Sequence, residues 1–214
     1  MKRLIVSLLT ICTLVVGTNV FAAESDFTAK INDLKAYGII YGDTDGNLRL
    51  DDTLTRAETV TIICRLLNVE GDASECMFTD VEKDFWAAGH ITAAFQNGLV
   101  DGCGNMLFKP NNKISQSEAL KMIITTLGYT PRAHELGGYP VGYITVANEI
   151  GLLSDISVAS DETITRRDIM NMVHTALDIP IMQQTSFGID AGYAIMDGSN
   201  NLPLITLRKT HAKY

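Results

Sequence analysis

The chain has 214 residues, of which 46% are hydrophobic and 20% are charged, and its formal net charge is −8 at pH 7. This composition supports a folded core and excludes a wholly disordered or collagen-like chain. The acidic balance argues against a general nucleic-acid binder, because such proteins neutralise phosphates with lysine and arginine.

The N-terminus has the three-part layout of a secretory signal peptide. Lys2 and Arg3 precede an apolar run over 4–16, and the small residue Ala22 follows. The run is too short for a permanent membrane span, which needs about 20 apolar residues. We therefore predict a signal peptide over 1–22, with cleavage after Ala22, and a mature chain that is exported without a transmembrane segment.

Three cysteines, Cys64, Cys76 and Cys103, follow the predicted cleavage point, so at most one disulfide could form among them. An odd number of thiols in an exported protein indicates a poorly oxidising environment or buried thiols that pack as small hydrophobic residues. Burial is favoured at Cys64, which falls on an apolar helix stripe. Their spacing contains no Cys-x-x-Cys pair, which argues against a zinc or redox site.

One sequence pattern occurs three times along the chain. Residues 31–67 align without a gap to residues 91–127, and a third copy begins at Ile144 with three residues fewer in its central loop. Each copy predicts a helix, a loop and a second helix. The first helix ends at an aligned glycine, a residue suited to a left-handed C-cap. These glycines are Gly38, Gly98 and Gly151.

The second helix of each copy carries an apolar stripe with i, i+3, i+4, i+7 spacing. The stripes are Val60, Ile63, Cys64 and Leu67, then Leu120, Ile123, Ile124 and Leu127, then Met170, Val173, His174 and Leu177. Helices this short cannot bury a face alone, and the three stripes share one register. The copies should therefore pack together.

The second helices also share a start signal, in which a hydroxyl and a carboxylate each bond a backbone N–H group. The capping pairs are Thr55 with Glu58, Ser115 with Glu118, and Thr165 with the shorter Asp168. Arg56 and Arg166 follow two of the caps, where a cation opposes the helix dipole, whereas the second copy has Gln116. An arginine beside free N–H groups favours an anion site. The alternative is an ion pair with a carboxylate of a neighbouring copy.

The final segment, 181–214, has a different pattern. Two β-prone stretches, 193–196 and 204–207, flank a turn at 197–200, which predicts a small hairpin too short to fold alone. On this interpretation the anchor is the whole product or the reading frame is truncated.

Other chemical signals are weak. The run 43–47 lacks glycine at the sixth position of a calcium loop, so a solvated turn is favoured. His90 and His134 have no partner at metal-ligand spacing, and no motif of a hydrolase or a nucleotide-binding enzyme is present. We predict no metal, no cofactor, no catalytic residue and no nucleic-acid partner.

Three elements in fixed order resemble S-layer homology (SLH) repeats. They are the Gly-Ile-Ile-x-Gly segment 38–42, the Leu-Thr-Arg-Ala-Glu segment 54–58, and the Phe-Thr-Asp-Val segment 78–81 with Trp86. The resemblance implies a mainly α fold, with three helix-loop-helix repeats forming a pseudo-trimer around a central three-helix bundle. The implied repeats cover 27–70, 78–129 and 139–179, and a short C-terminal β segment covers 181–214.

The resemblance also implies a function. The implied protein is a non-catalytic anchoring module that is secreted to the cell wall or cell surface of a bacterium. In such a module the grooves between repeats bind anionic, typically pyruvylated, secondary cell-wall polysaccharide. The implied ligand-binding residues are Arg56, Arg166, Asp80, Trp86, Gly42 and Gly102, with Tyr139 and Tyr143 as substitutes for tryptophan in the third repeat. Because Gln116 has no charge, its site should be weak or empty. The alternatives are a wall-polymer hydrolase and a self-associating surface-layer protein.

Overall fold

The computed structural model describes residues 25–154, 156, 162–186 and 191–211. The predicted signal peptide and its cleavage point lie outside the described residues. The helices are α1 (25–36), α2 (Arg56–Leu67), α3 (Ala88–Gln96), α4 (Gln116–Thr126), α5 (Thr130–Glu135), α6 (Val141–Glu149), α7 (Arg166–Ala176) and α8 (Leu207–His211). A 3-10 turn covers Ala73–Glu75, and the strands β1 (Met182–Gln184) and β2 (Tyr193–Ile195) pair antiparallel. The protein is mainly helical, as predicted.

The first helices of the three copies, α1, α3 and α6, are each followed by a glycine with positive φ. The angle is 68° at Gly38, 66° at Gly98 and 75° at Gly151. A side chain with a Cβ is strained in this region, so glycine ends each helix at low cost. The predicted C-cap position is confirmed in all three copies.

The second helices, α2, α4 and α7, contact one another in every pairing. Their predicted apolar stripes face this contact. Leu120, Ile123 and Leu127 of α4 are fully buried, and the stripes of α2 and α7 are buried except at Leu67 and His174, which are half-buried. The shared register therefore reflects a shared core, which confirms the prediction.

The first helices lie on the outside of this core. α3 packs on α2, and α6 packs on α4. α1 approaches α7, where Asp33 Oδ2 lies 3.1 Å from His174 Nε2. Each first helix thus contacts the second helix of another copy, so no copy buries its apolar faces by itself.

The chain segments that lead into the second helices bond to one another in a closed ring. The N–H of Leu54 donates to the carbonyl of Ile164 at 3.1 Å, Ile164 donates to Ile114 at 3.2 Å, and Ile114 donates back to Leu54 at 3.2 Å. All three side chains are fully buried. The ring ties the starts of α2, α4 and α7 together at one end of the core.

The structure contains the predicted C-terminal hairpin only in part. β2 pairs along its length with β1, and Met182 lies opposite Ile195. The predicted pairing is present at the turn, where Asp197 forms a bridge with Leu204 and the N–H of Ile205 donates to the carbonyl of Met196 at 2.9 Å. Leu207 then begins α8 and is buried. Docking of this leucine against the repeats ends the second predicted strand.

α8 returns to the repeats and connects two of them. Arg208 donates from Nη1 to Asp33 of α1 at 2.5 Å, and from Nε and Nη2 to Asp178, just after α7, at 2.6 and 2.7 Å. His211 bonds a carbonyl at the end of α2. The C-terminal segment is therefore packed on the first and third copies. No helix in the part of the chain that the structure describes is long and apolar enough to cross a membrane.

Candidate functional site

Arg56 is buried between two repeats, with only 7% of its surface exposed. It donates from Nε to the carbonyl of Phe108 at 3.0 Å and from Nη2 to the carbonyl of Asp101 at 3.2 Å, and Nη1 lies 3.3 Å from Glu118 Oε1. The guanidinium lies over the Phe108 ring, 4.8 Å from its centroid. We call these four residues the Arg56 junction. It matches the alternative of an ion pair with a neighbouring copy.

Arg166 makes the equivalent contacts in a different place. It donates from Nε to the carbonyl of Leu48 at 2.7 Å and from Nη2 to the carbonyl of Tyr41 at 3.3 Å, positions that align with 108 and 101. Among the described residues no carboxylate lies within ion-pair distance of Arg166. Burial lowers the pKa of its guanidinium and Glu58 partly offsets this, but an arginine stays charged at neutral pH. We call Arg166, Leu48 and Tyr41 the Arg166 junction.

The backbone N–H groups beside these arginines are not free, so the prediction of free N–H groups there is wrong. The N–H of Arg56 donates to Asn112 at 2.9 Å and that of Ala57 to Pro110 at 3.0 Å. At α7 the N–H of Arg166 donates to Asp52, and residue 167 donates to residue 50, both at 2.9 Å. Carbonyl groups of a neighbouring loop satisfy these helix ends, and only the guanidinium groups remain as anion donors.

A groove of about 850 Å³ opens beside the Arg166 junction. Its walls are the loop 40–53, one side of α2, Trp86, Lys113 and Arg166. We call this cavity the large groove. Residues from all three copies line it, so the packing of the copies creates a cavity that none of them has alone.

The side of α2 that faces the large groove carries a second helical stripe, distinct from the buried one. Glu58, Thr61, Ile62 and Arg65 line the cavity at i, i+3, i+4 and i+7 spacing. From the sequence we predicted Glu58 only as a cap and did not predict the other three. The signal was present, because residues of one helix that are three and four apart share a face.

Aromatic side chains flank this face of the groove. The guanidinium of Arg65 lies over the ring of Tyr41, with its Cζ 4.7 Å from the centroid. Tyr41 and Trp86 are each 58% exposed. Exposed aromatic faces offer flat apolar area with negative potential, against which the C–H groups of a sugar ring can pack.

Thr61 is a buried hydroxyl on the wall of the large groove. It is 3% exposed, and its Oγ1 is the one buried side-chain polar atom of the described residues that has no hydrogen-bond partner. Such an atom costs about 1–3 kcal/mol relative to a bonded one.

Acidic side chains of the large groove have partners within the protein. Asp43 Oδ1 accepts two backbone N–H groups of its own turn, at 2.9 and 3.0 Å. Asp52 accepts from Arg49 Nε at 2.6 Å, and Glu58 Oε2 accepts from the N–H of Thr55 at 2.8 Å. These three carboxylates already have hydrogen-bond donors of their own, and a fourth carboxylate of the lining, Asp51 Oδ1, lies 3.9 Å from Arg167 Nε.

The predicted ligand residues fall into two groups. Arg166, Trp86 and Gly42 line the large groove. Arg56 belongs to the buried Arg56 junction, and Asp80 accepts the N–H groups of residues 108 and 109 at 2.8 and 2.7 Å. Asp80 therefore holds the loop of the second copy, the same loop that receives Arg56.

The two predicted glycines have intramolecular reasons to be glycine. A Cβ on Gly42 would lie 2.5 Å from the backbone of Gly46, and one on Gly102 would lie 2.8 Å from the Phe78 ring. The space beside each Cα is thus filled by the protein itself. Close approach of a sugar is not needed to explain either residue.

The predicted caps begin all three second helices. Thr55 with Glu58 and Ser115 with Glu118 form reciprocal capping boxes. At α7 the N–H of Asp168 donates to Thr165 Oγ1 at 3.2 Å, and the hydroxyl bonds Asp168 Oδ2 at 2.6 Å. Gln116 is 7% exposed, just after the second cap. Of the two tyrosines named as substitutes, Tyr139 is half-exposed and Tyr143 is buried.

The cysteines are free thiols. Cys64 is buried, as its stripe position predicted, and burial raises its pKa to about 12. Cys76 is half-buried and Cys103 is exposed. Within the described residues, no group of three or more His, Cys, Asp or Glu side chains is placed to hold a metal ion.

Comparison with known proteins supports the resemblance. The S-layer homology domain model matches residues 26–60 and 78–120. The Middle cell wall protein of Brevibacillus brevis is 32% identical over 211 residues, 91% of this chain and 20% of that protein, and a Cell surface protein of Thermoanaerobacter kivui is 29% identical over 91% of this chain and 26% of its own length. Exoglucanase XynX of Acetivibrio thermocellus is 35% identical over 88 residues, 41% of this chain and 8% of that protein. The chain spans about a fifth to a quarter of the first two relatives. It is an S-layer homology domain protein.

Proposed function

We propose that this protein is a non-catalytic anchoring module that binds an anionic, pyruvylated wall polysaccharide in the large groove. Its family and its cell-wall and cell-surface relatives support a secreted protein that acts at the cell surface. The observation that carries the proposal is that one cavity combines exposed aromatic faces with two arginines that have no carboxylate within ion-pair distance among the described residues. Arg65 and Arg166 supply the charge, and Tyr41 and Trp86 supply the faces.

The architecture belongs to the same proposal. We propose that repeats at 27–70, 78–129 and 139–179 form a pseudo-trimer around α2, α4 and α7. The mutual contacts of these helices and the closed hydrogen-bond ring at their starts support it. A groove formed where copies meet then depends on the assembly of all three.

The charge of the whole chain favours binding at a local site. With a net charge of −8, the protein repels an acidic polymer over most of its surface. A carboxylate, such as that of a pyruvate ketal, would be attracted where arginines stand without an acidic partner. Arginine suits this role because its guanidinium can bond both carboxylate oxygens.

The geometry argues against a glycosidase. Such an enzyme needs two carboxyl groups about 5–9.5 Å apart across a cleft, one of them free to donate a proton. Asp43, Asp52 and Glu58 of the large groove instead accept hydrogen bonds from the protein.

Self-association is the other competing function, for which the exposed Tyr193 and Ile195 of β2 would be the apolar surface.

Sedimentation with purified cell walls tests the proposal. We expect the mature protein to co-sediment with native walls and to stay in solution when the pyruvate ketals have been removed by mild acid. Equal sedimentation with both wall preparations would contradict the role of the carboxylate. Release of reducing sugars from the walls would contradict the proposal that the protein is non-catalytic. A concentration-dependent increase in the mass of the protein without walls would favour self-association.

A further inference from the structure

The C-terminal segment contacts the end of every core helix. We call its described part, 180–186 and 191–211, the strap. The strap donates one hydrogen bond to a carbonyl in or just after the last turn of each second helix. The pairs are Met182 to Leu127 at 2.9 Å on α4, Arg208 to Leu177 at 2.8 Å on α7, and His211 Nε2 to Leu66 on α2. The last carbonyls of a helix have no partner within it, so the strap supplies a donor to each of the three helix ends.

These contacts lie at the opposite end of the core from the closed hydrogen-bond ring. The ring joins the chain segments that lead into α2, α4 and α7, and the strap joins the ends of the same helices. The three acceptors also correspond between copies, because Leu67, Leu127 and Leu177 are aligned and Leu66 is one residue earlier. The core is therefore tied together at both ends.

The end of α4 is shaped to receive the strap. Gly128 has a φ of 84°, and a Cβ at this position would overlap the carbonyl oxygen of Met182. The hydroxyl of the buried Tyr129 donates to the carbonyl of Pro180 at 2.8 Å. A residue with a side chain at 128 would displace the strap, so this close approach is a built feature of the fold.

One of the three boundaries between copies has no connecting chain. The segment 68–87 joins the first copy to the second, and 128–140 joins the second to the third, whereas the first and third copies are the two ends of the repeat region. Their boundary contains the Arg166 junction, which has no carboxylate partner among the described residues, while the Arg56 junction has Glu118. This boundary therefore depends most on contacts made by other parts of the chain.

α8 supplies contacts across this boundary. Arg208 donates from Nη1 to Asp33 of the first copy, and from Nε and Nη2 to both carboxylate oxygens of Asp178, which follows α7 of the third. Nη1 also donates to the Tyr37 hydroxyl at 3.4 Å, and the Tyr37 ring lies 5.5 Å from that of His211. Because a bidentate guanidinium fixes the orientation of its partner, α8 links the first and third copies as a chain connection links the others.

We propose that the strap is the closing element of the ring of copies, and that its release opens the boundary between the first and third copies while the other two boundaries stay closed. Release removes the tie at the ends of the core helices and leaves these two copies joined mainly at the starts of α2 and α7. Transient opening at this boundary then becomes more frequent. The inference goes beyond the proposed function, because it concerns how the copies stay together and not what they bind.

Hydrogen exchange of single amides, followed by NMR on the mature chain, tests the strap in Arg208→Gln. The probes are the N–H groups of Arg166 and Arg167, which donate to the first copy across the boundary at 2.9 Å, at the end far from the strap. Loss of the Arg208 charge should make both amides exchange about three- to tenfold faster, since partly exposed ion pairs contribute modestly to stability.

The amides of Arg56 and Ala57 are the internal reference. They donate across the boundary between the first and second copies, at 2.9 and 3.0 Å, and should keep their wild-type exchange rates. Arg132→Gln is the matched control variant, because Arg132 also lies within ion-pair distance of two carboxylates, those of Glu135 and Glu149, both outside the strap. It should leave the exchange of all four amides unchanged.

Two outcomes would overturn the proposal. Faster exchange confined to α8 in Arg208→Gln would show that the strap does not control the boundary, and equal acceleration of the Arg56 and Arg166 amides would show a general loss of stability. If Arg208→Gln does not fold, Asp178→Asn takes its place, since it keeps the bond from Arg208 to Asp33. The Arg166 amide should then exchange faster by a smaller factor, and an unchanged rate would contradict the role of the strap.

Discussion

Two arginines at aligned positions differ in what surrounds them. Arg56 and Arg166 each donate to two carbonyl groups of a loop in another copy. Arg56 is covered by the Phe108 ring and pairs with Glu118, whereas the residue aligned with Phe108 at the Arg166 junction is Leu48, which has no ring. The motif therefore sets the contact between copies, and the neighbours decide whether a ligand can reach the guanidinium.

The largest expected effect is on stability at the Arg56 junction. Arg56→Ala removes the guanidinium donor of two carbonyl groups and the ion-pair partner of Glu118, so the free energy of unfolding should fall by about 3 kcal/mol. Arg166→Ala, in a half-exposed place, should cost about 1–2 kcal/mol. Urea unfolding measures both values. An equal or larger loss for Arg166→Ala would contradict the expectation that burial makes the Arg56 junction the more stabilising of the two.

A smaller effect is expected on wall binding, which compares the large groove with the surface beside α4. Trp86→Ala should weaken wall binding about tenfold, equivalent to about 1.4 kcal/mol, because Trp86 is an exposed aromatic wall of the large groove. Tyr139→Ala is the matched control, since Tyr139 is half-exposed but its hydroxyl bonds Ser117 on the α4 side. Binding isotherms on purified wall glycan compare them. If Tyr139→Ala costs as much as Trp86→Ala, the large groove is not the dominant site.

The smallest effect concerns α8, which connects the same two copies as the Arg166 junction. Burial alone would raise the pKa of Asp33, but hydrogen bonds and charge from Arg208 and His174 outweigh it, so the pKa is lowered. A lowered folded pKa stabilises the protein above the unfolded value of 3.8, and this contribution is lost as the pH falls through the folded value.

Asp33→Asn should therefore be less stable than the wild type at neutral pH, and the difference should shrink as the pH falls below about 4. Thermal unfolding between neutral and acid pH measures it. Asp26→Asn on the same helix is the control for a surface ion pair, because Asp26 is exposed and its Oδ2 lies 3.1 Å from Lys30 Nζ. Parallel curves for Asp33→Asn and the wild type would show that the α8 contact contributes no pH-dependent stability.

Local patterns predicted much of the fold. The glycine ends of the first helices, the capping pairs and the buried stripes depend on residues within one or two helical turns. Leu120, Ile123 and Leu127 are buried because periodicity alone determines which face of a helix is apolar. The tail was predicted less well, because its second strand competes with the docking of Leu207, a contact far along the chain.

The candidate site was predicted only in part, for a related reason. Trp86 and Arg166 were named from the sequence and do line the large groove, but Thr61 and Arg65 were missed. Both lie on a stripe of polar and apolar residues that resembles any solvent-facing side of a helix. Only the neighbouring loop, which places Tyr41 over Arg65, distinguishes this stripe from an ordinary surface.

The sequence by itself determined that one helical unit recurs, where its second helices begin, and which face of each enters the core. Only the tertiary structure decided which arginine is buried and which borders a cavity. The physical reason is that capping and periodicity are local to one helix, whereas the burial and the contacts of a guanidinium depend on residues of another copy. Arg56 meets Phe108 and Glu118 across 52 and 62 residues of chain, and Arg166 meets Leu48 across 118.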